Sequence, residues 1–480
     1  MAILVIDLGT TTIRAAIVES DGAVTSTEAR RVPPSRPSTG LAEFDAEVVA
    51  SVARELATAS MGTRDDIVAV GITTQRASTL LYDAASSTVL GPGLGWQDQR
   101  TVGQCIALQR DGIRLAPNQS ATKLAYLIDN FGKGEDRDLR FFTLDSWLAW
   151  RLSDESCHVT DATNAAVTGL VDSGAAGWDP TRCLRLGVTA SMLPRIADSA
   201  EIVGHATQLP GAPAIAAIVG DQQASLIGQG CLEEGMAKIT FGSGGMLDAC
   251  VGTIRPAFEI RGKSGTFPIV TRRLEGEKQW GLEAILLSAG SCVEWLRDGL
   301  GIIKDADESG ALADSVRDAA GVSFVPAFGG LGTPVWDFGA RGVLVGLDAS
   351  TGRAEIVRAV LEGIANAGAD LLESVESDSG TTIGELRVDG GMAKNRTFLQ
   401  LLANATQRPI LKSSVLDATT RGAGFLAGVA TGLWSSLEET ASLIAPAEVI
   451  EPTRRLDRGR WREARELARN QVPFLSSLSF

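Results

Sequence analysis

The stretch VIDLGTTTIRAAIV (4–17) brings Asp7, Thr10, Thr11, Thr12 and Arg14 into one short piece of chain. A carboxylate, three hydroxyls, a guanidinium and the free N–H groups around Gly9 could grip an anion, with the carboxylate beside it. Ordinary two-residue hairpins are built on Asn-Gly or Asp-Gly. A polar structural turn and an anion-gripping turn are both open at this point. A second candidate is Asp221 in IVGDQQASLIGQG (218–230), where an apolar run ends at Gly220 and a helical pattern begins. Aspartate there can be a plain helix N-cap, worth ~1 kcal/mol. The same placement puts a carboxylate at a strand end, able to accept the proton of an alcohol attacking a phosphoryl group.

The elements that must hold these groups are legible. Ala2–Ile6 and Ile13–Val18 read as two strands of a hairpin with the Gly-Thr run at its tip. KITFGSGGMLDACV (238–251) repeats the pattern of strand, small-residue turn and strand, so Gly9 and Gly242 mark related places in two halves of similar length. Short β-branched runs alternate with helical stretches in each half: IVAVGI (67–72) and FFTL (141–144), then VSFVPAF (322–328) and LRV (386–388). That alternation predicts α/β layers. In the segment 353–375, Val357, Val360, Leu361, Ile364 and Leu371 recur at helical spacing and predict one long helix with a buried face. A duplicated α/β protein with facing hairpins implies a ligand held between its halves.

The common phosphate motifs are missing. The single Gly-Lys-Ser, at 262–264, has Ala257 where a Walker loop needs glycine, and no GxGxxG follows the first strand. Small-residue turns remain: the two hairpins, AFGGLGTP (327–334), VDGGMAKN (388–395) and TRGAGFLAG (420–428). The last two are expected to run from turn into helix, a favourable end for an anion. Five such stretches in one chain point to a nucleotide.

Composition closes off other classes. At 480 residues, two or three domains are expected, and 44% hydrophobic with 21% charged residues is globular. A net charge of −14 argues against a nucleic-acid partner. No apolar run approaches the ~18 residues of a membrane span, and the N-terminus lacks a basic leader. Cys105, Cys157, Cys183, Cys231, Cys250 and Cys292 show no CxxC spacing, so reduced thiols and a cytoplasmic location are expected. Cys157-His158 has no further ligands in range and reads as packing rather than zinc binding. Trp147, Trp150 and Trp178 likewise read as packing, and residues 454–471 as a solvated helix of alternating charge.

Taken together, IDLGTTTIRAAIV, GITTQRAST, GWQDQRT, TLDSWLAWRL, HVTDATNAAVTGLVD, GDQQASLIGQG, FVPAFGGLGTPVWDFGARGVLVGL, LRVDGGMAKN and RGAGFLAG resemble the FGGY family of carbohydrate kinases, with glycerol kinases the nearest branch. The resemblance runs in order over nearly the whole chain. It implies an actin-like ATPase fold in which two ribonuclease-H-like domains flank a deep cleft, residues 1–236 mainly holding the sugar or polyol and 237–480 mainly ATP. By position, Asp221 matches the catalytic base and Asp7 the carboxylate near Mg²⁺. Gly9, Thr10, Thr11 and Arg14 match the first phosphate loop, and Gly242, Ser243 and Gly244 the second. Gly330 and Gly332 fall in a nucleotide-side loop, and Gly390, Gly391 and Gly422 where the family holds adenosine. On the substrate side, Arg76, Trp96, Asp221 and Gln222 match.

Three substrate contacts depart from the glycerol pattern: Ala77 stands where a Glu is expected, Asn118 for a Tyr, and Met246 for a Phe. Removing a carboxylate and a phenol frees volume and withdraws hydrogen-bond partners, which predicts a different or larger polyol or sugar as acceptor, for example one of four or five carbons. The competing account is that Ala77 is neutral and water fills the gap. A non-catalytic sugar-binding homologue and an actin-fold ATPase that ignores sugars are the alternative functions. Retention of Asp7 and Asp221 speaks against the first, and GWQDQRT with GDQQ against the second. Homo-oligomeric assembly is left open.

Overall fold

The computed structural model describes residues 1–415 and 417–478. Two sheets built to one plan carry the molecule. The first holds β1 (Ala2–Leu8), β2 (Thr12–Val18), β3 (Val24–Arg31), β4 (Ile67–Thr74) and β5 (Ala214–Gly220), in the order β3-β2-β1-β4-β5, with strand Ala200–His205 beyond β5. Pairing is antiparallel across β3, β2 and β1 and parallel across β1, β4 and β5. The run of β1 does not alternate because both its faces are covered. Leu4 and Ile6 enter one core, together with Ala53 and Leu56 of helix α1 (Ala46–Met61), while Ile3 and Val5 enter another.

The second sheet repeats that plan. β6 (Ala237–Phe241), β7 (Gly245–Gly252), β8 (Glu277–Leu286), β9 (Leu386–Asp389) and β10 (Ile410–Lys412) lie in the order β8-β7-β6-β9-β10. Again the first three pair antiparallel and the rest parallel. The duplication suggested by the hairpins is therefore present in strand order and direction. VSFVPAF contributes only Ser323–Val325, in a separate ribbon with Val343–Val345.

Helix α2 (Asp221–Gly228) leads from the first sheet to the second. Helix α3 (Arg353–Ser379) covers the second sheet, buries all five residues of the expected face and stops at Gly380 in the left-handed region, φ 73°. Helix α4 (Ala418–Ala430) then returns to the first sheet, where Ala423, Phe425, Leu426 and Ala427 share a core with Ile3, Val5 and Ala224. A division at 236/237 thus separates the sheets, but α4 and the helix Leu437–Ala441 behind it belong spatially with the first.

Two expectations need correction. Residues 420–428 contain no turn. They are helical throughout, and their glycines serve close packing: a Cβ at Gly422 would lie 1.9 Å from the Ala224 carbonyl oxygen, and one at Gly228 1.9 Å from that of Ala418. The charged C-terminal helix α5 (Arg458–Ala468) is only partly solvated. Trp461, Ala464 and Ala468 are buried, and Arg458, Arg465 and the Trp461 indole converge on Asp370 of α3.

Between β4 and β5 an insertion forms a small sheet around Thr79–Asp83 and Leu139–Thr143. Trp147 is fully buried there, Trp150 packs on Phe142 and Trp178 on Phe141, as packing roles require. His158 places Nε2 2.9 Å from the Phe141 carbonyl and its ring 4.5 Å from that of Phe142. The six cysteines are buried free thiols. Among the described residues, no three or more His, Cys, Asp or Glu side chains are grouped to hold a metal, and no helix is long and apolar enough to cross a membrane.

Candidate active site

The first hairpin holds its polar groups by strand register. Asp7 and Arg14 are cross-strand partners in β1 and β2, and Arg14 Nη1 lies 3.2 Å from Asp7 Oδ2. Gly9 sits at the tip, its N–H bonded to the Thr12 carbonyl, with Thr10 half-buried and Thr11 exposed. Asp7 Oδ1 is buried and has no hydrogen-bond partner among the described residues. Burial pushes the Asp7 pKa up to about 7, and the nearby Asp417 and Asp221 carboxylates add to the rise against the pull of Arg14. A nearby cation would favour the charged form of such a carboxylate.

Asp221 is the first residue of α2, and Gly220 is the N-cap. Its Oδ1 accepts from the adjacent Gln222 N–H at 2.8 Å, not from the N–H groups a capping aspartate satisfies, so the plain N-cap reading fails. Burial raises its pKa above the usual carboxylate range, which Arg76 and Lys238 partly offset. Arg76 follows β4 and reaches Asp221 with Nε at 3.6 Å. Its Nη2 donates to Glu283 Oε2 at 2.6 Å, so an ion pair from β8 of the second sheet braces the arginine. Arg76 Nη1 is buried without a partner among the described residues. Gly220 makes room for this arrangement, since a Cβ there would lie 2.7 Å from Arg76 Cδ.

Gln222 is fixed from the other body. Lys238 Nζ on β6 donates to Gln222 Oε1 at 2.7 Å and to Thr240 Oγ1 at 3.0 Å, and lies 2.7 Å from Asp248 Oδ2 on β7. Lys238, Asp248 and Glu283 are successive register partners across β6, β7 and β8, which gives a buried charged row beside Asp221. Met246 stands two residues before Asp248 on the same face of β7.

Trp96 ties the two functions together: its indole N–H donates to Thr10 Oγ1 at 3.1 Å, so the first hairpin tip and the expected substrate wall touch. Fully buried Lys123 donates to the carbonyls of Trp96 and Asn118 at 3.2 and 3.1 Å and fixes both segments. Asn118 itself is exposed. Ala77 is held in the left-handed region, φ 62°, and its carbonyl accepts from Ser120 Oγ at 3.2 Å.

The glycine loops of the second body cluster around the second hairpin. Gly242 and Ser243 are exposed at its tip, and their carbonyls accept from Gly290 and Ala289. A Cβ on Gly244 would lie 2.6 Å from Leu286 O, and one on Gly390 2.4 Å from Phe241 O, so the 390–391 turn abuts the hairpin. Gly391 faces open space. Gly330 has φ 95°, and Gly332 approaches Ile285 O so closely that a Cβ would sit at 2.2 Å. Gly422 is apart from these loops, inside α4 against α2.

Glu283, Lys238, Asp248, Lys123 and Asp417 escape a reading of the sequence by motif. A signal exists for the first three, because single charges inside apolar strands require a partner.

Comparison with known proteins shows the family. Residues 2–228 match the N-terminal domain, and residues 238–431 the C-terminal domain, of the FGGY family of carbohydrate kinases. The chain is 39% identical to a glycerol kinase of Aromatoleum aromaticum, covering 98% of this chain and 99% of that one. It is 40% identical to a glycerol kinase of Gloeobacter violaceus over 91% and 90%. Its structure superposes on Plasmodium falciparum glycerol kinase with ADP at a TM-score of 0.88 and 26% identity, covering 100% and 99% of the two chains. A xylulose kinase from Lactobacillus acidophilus shares the fold at a TM-score of 0.84 and 20% identity, covering 98% and 97%. The chain belongs to the FGGY family of carbohydrate kinases, with the actin-like fold of that family, and uses ATP to phosphorylate a polyol or sugar.

Proposed function

We propose that Asp221 is the general base of this kinase and that the acceptor is a polyol or sugar of four or five carbons rather than glycerol. The observation that carries the first part is the position of Asp221 at the start of α2, with its basicity raised by burial and its orientation set by Gln222 N–H and Arg76. Asp221 accepts the hydroxyl proton as the oxygen attacks the terminal phosphoryl group of ATP. Arg76 Nη1, buried and without a partner among the described residues, orients a substrate hydroxyl. The hairpin tips at Gly9–Thr11 and Gly242–Gly244 supply N–H and hydroxyl groups for the triphosphate, where positioning and charge stabilisation dominate.

Asp7 fits a Mg²⁺ site, because its buried Oδ1 lacks a partner among the described residues and burial, with the neighbouring carboxylates, raises its pKa. Bound there with water and phosphate oxygens, the ion would neutralise charge on the phosphates. Closure of the two bodies over the acceptor would exclude water, so ATP hydrolysis without acceptor is expected to be slow. A cytoplasmic enzyme is consistent with its six free thiols.

Support for a larger acceptor comes from the three positions that depart from the glycerol pattern. Ala77 offers only a methyl where a carboxylate is expected, Asn118 is exposed to solvent, and Met246 is flexible by side-chain type. The names of the relatives favour glycerol itself as a second reading. ADP release measured across glycerol, tetritols, pentitols and ketoses separates the two. A clear preference for one of the longer acceptors supports the proposal, and glycerol outperforming all of them refutes it.

A further inference from the structure

At the end of α2 opposite Asp221 lies a surface depression of about 290 Å³, solvent mouth included, whose wall carries Gln229, Arg387, Lys412, Ser413, Ser414 and Arg421. Three cations from β9, β10 and α4 meet there, in a chain of net charge −14. Arg421 is 4% exposed. Its Nε donates to the Gly228 carbonyl at 2.8 Å, and its Nη2 is buried with no hydrogen-bond partner among the described residues. Burial and the neighbouring Arg387 hold this guanidinium at a pKa of about 10, which marks a cation without local compensation. Arg387 donates Nη1 to the Gln229 carbonyl and places Nη2 3.4 Å from Glu385.

Capping the C-terminus of α2 explains the bonds to the Gly228 and Gln229 carbonyls. It explains neither the free Nη2 of Arg421 nor Lys412 and Ser414 on the same wall, whereas Ser413 Oγ donates to the Val415 carbonyl at 2.7 Å in a local turn. A buried cation without a counter-ion is costly, and a forked guanidinium with hydroxyls nearby suits a tetrahedral oxyanion. Nothing in the catalytic arrangement uses these residues.

We propose that this depression is a second anion site, which binds a phosphate dianion, free or as the phosphomonoester group of a small metabolite. Arg421 and Arg387 grip the phosphate oxygens, with Lys412 and the Ser414 hydroxyl completing the shell. Arg387 and Lys412 stand on the second sheet and Arg421 on α4, which packs against the first, so a bound phosphate bridges the two bodies. Its distance from the base is the length of α2, roughly 12 Å for eight residues.

Two measurements on the full chain test this. Crystals soaked in tungstate should show an anomalous peak within hydrogen-bond distance of Arg421 and Arg387, lost in Arg421→Met. Calorimetric titration with inorganic phosphate, on protein loaded with ADP, should show affinity ~10-fold weaker in Lys412→Ala, as for loss of one charge-assisted contact. Lys412 is partly exposed, so that variant keeps the test alive if Arg421→Met does not fold. A tungstate peak only at the Gly9 and Gly242 hairpins, or equal phosphate affinity in wild type and Lys412→Ala, overturns the proposal. Parallel titrations with inorganic phosphate and a sugar phosphate tell which source the site prefers.

Discussion

Substituting Gly422 by alanine should cripple the enzyme from a distance. The added Cβ would sit 1.9 Å from the Ala224 carbonyl oxygen, about 1.1 Å inside the 3.0 Å floor for real Cβ contacts. The neighbour is helix backbone, so no side chain can swing aside and α2 must move away from α4. Overpacking of this kind destabilises by ~1–3 kcal/mol. The functional cost should be larger, because Ala224 lies one turn from Asp221 on the same short helix. A shift of ~1 Å in a reacting group can lower the rate ~100-fold. Gly103→Ala is the control: that glycine is also helical, has nothing within 4 Å of the place a Cβ would take, and should gain up to ~1 kcal/mol from helix propensity. Steady-state kcat with the preferred acceptor, alongside thermal melts of both variants, reads the outcome. If Gly422→Ala melts like the wild type and keeps kcat within twofold, the tight helix crossing does not position the base.

Three further outcomes follow from the same geometry. Glu283→Ala breaks the buried pair with Arg76 and should cost ~3–5 kcal/mol in denaturant melts, whereas Glu283→Gln keeps an acceptor and should cost less. In Glu283→Gln the unshared Arg76 charge lowers the basicity of Asp221, so the acid limb of the kcat/KM profile should move to lower pH. His158 is held neutral, its pKa depressed from 6.5 to about 4 by burial. Because the unfolded chain binds that proton first, stability should be lost as pH falls from about 6.5 to about 4, by up to ~3 kcal/mol, and His158→Gln should flatten that slope.

Much of the candidate site is legible in the sequence because its residues are out of place. A glycine-threonine run between apolar strands and an aspartate closing another strand are chemically expensive unless something faces them, and both mark the candidate site. The buried face of α3 is legible for the opposite reason, since its apolar spacing has one reading. Gly422 misleads because glycine disfavours helix locally, and only the tertiary approach of α2 requires it there. The row Lys238, Asp248 and Glu283 depends on strand register across three strands, which no local pattern specifies, although each charge in an apolar strand is a visible anomaly. In α5, alternating charges hide the stripe Trp461, Ala464 and Ala468.

The most direct test is Asp221→Asn, an isosteric change that removes proton acceptance together with the charge facing Arg76. With saturating acceptor, kcat should fall ~10²–10⁴-fold, the range carried by a general base, while ATP affinity measured by calorimetry stays within a few-fold of wild type. A variant that turns over at close to the wild-type rate would mean that another group takes the proton and that α2 is scaffold alone.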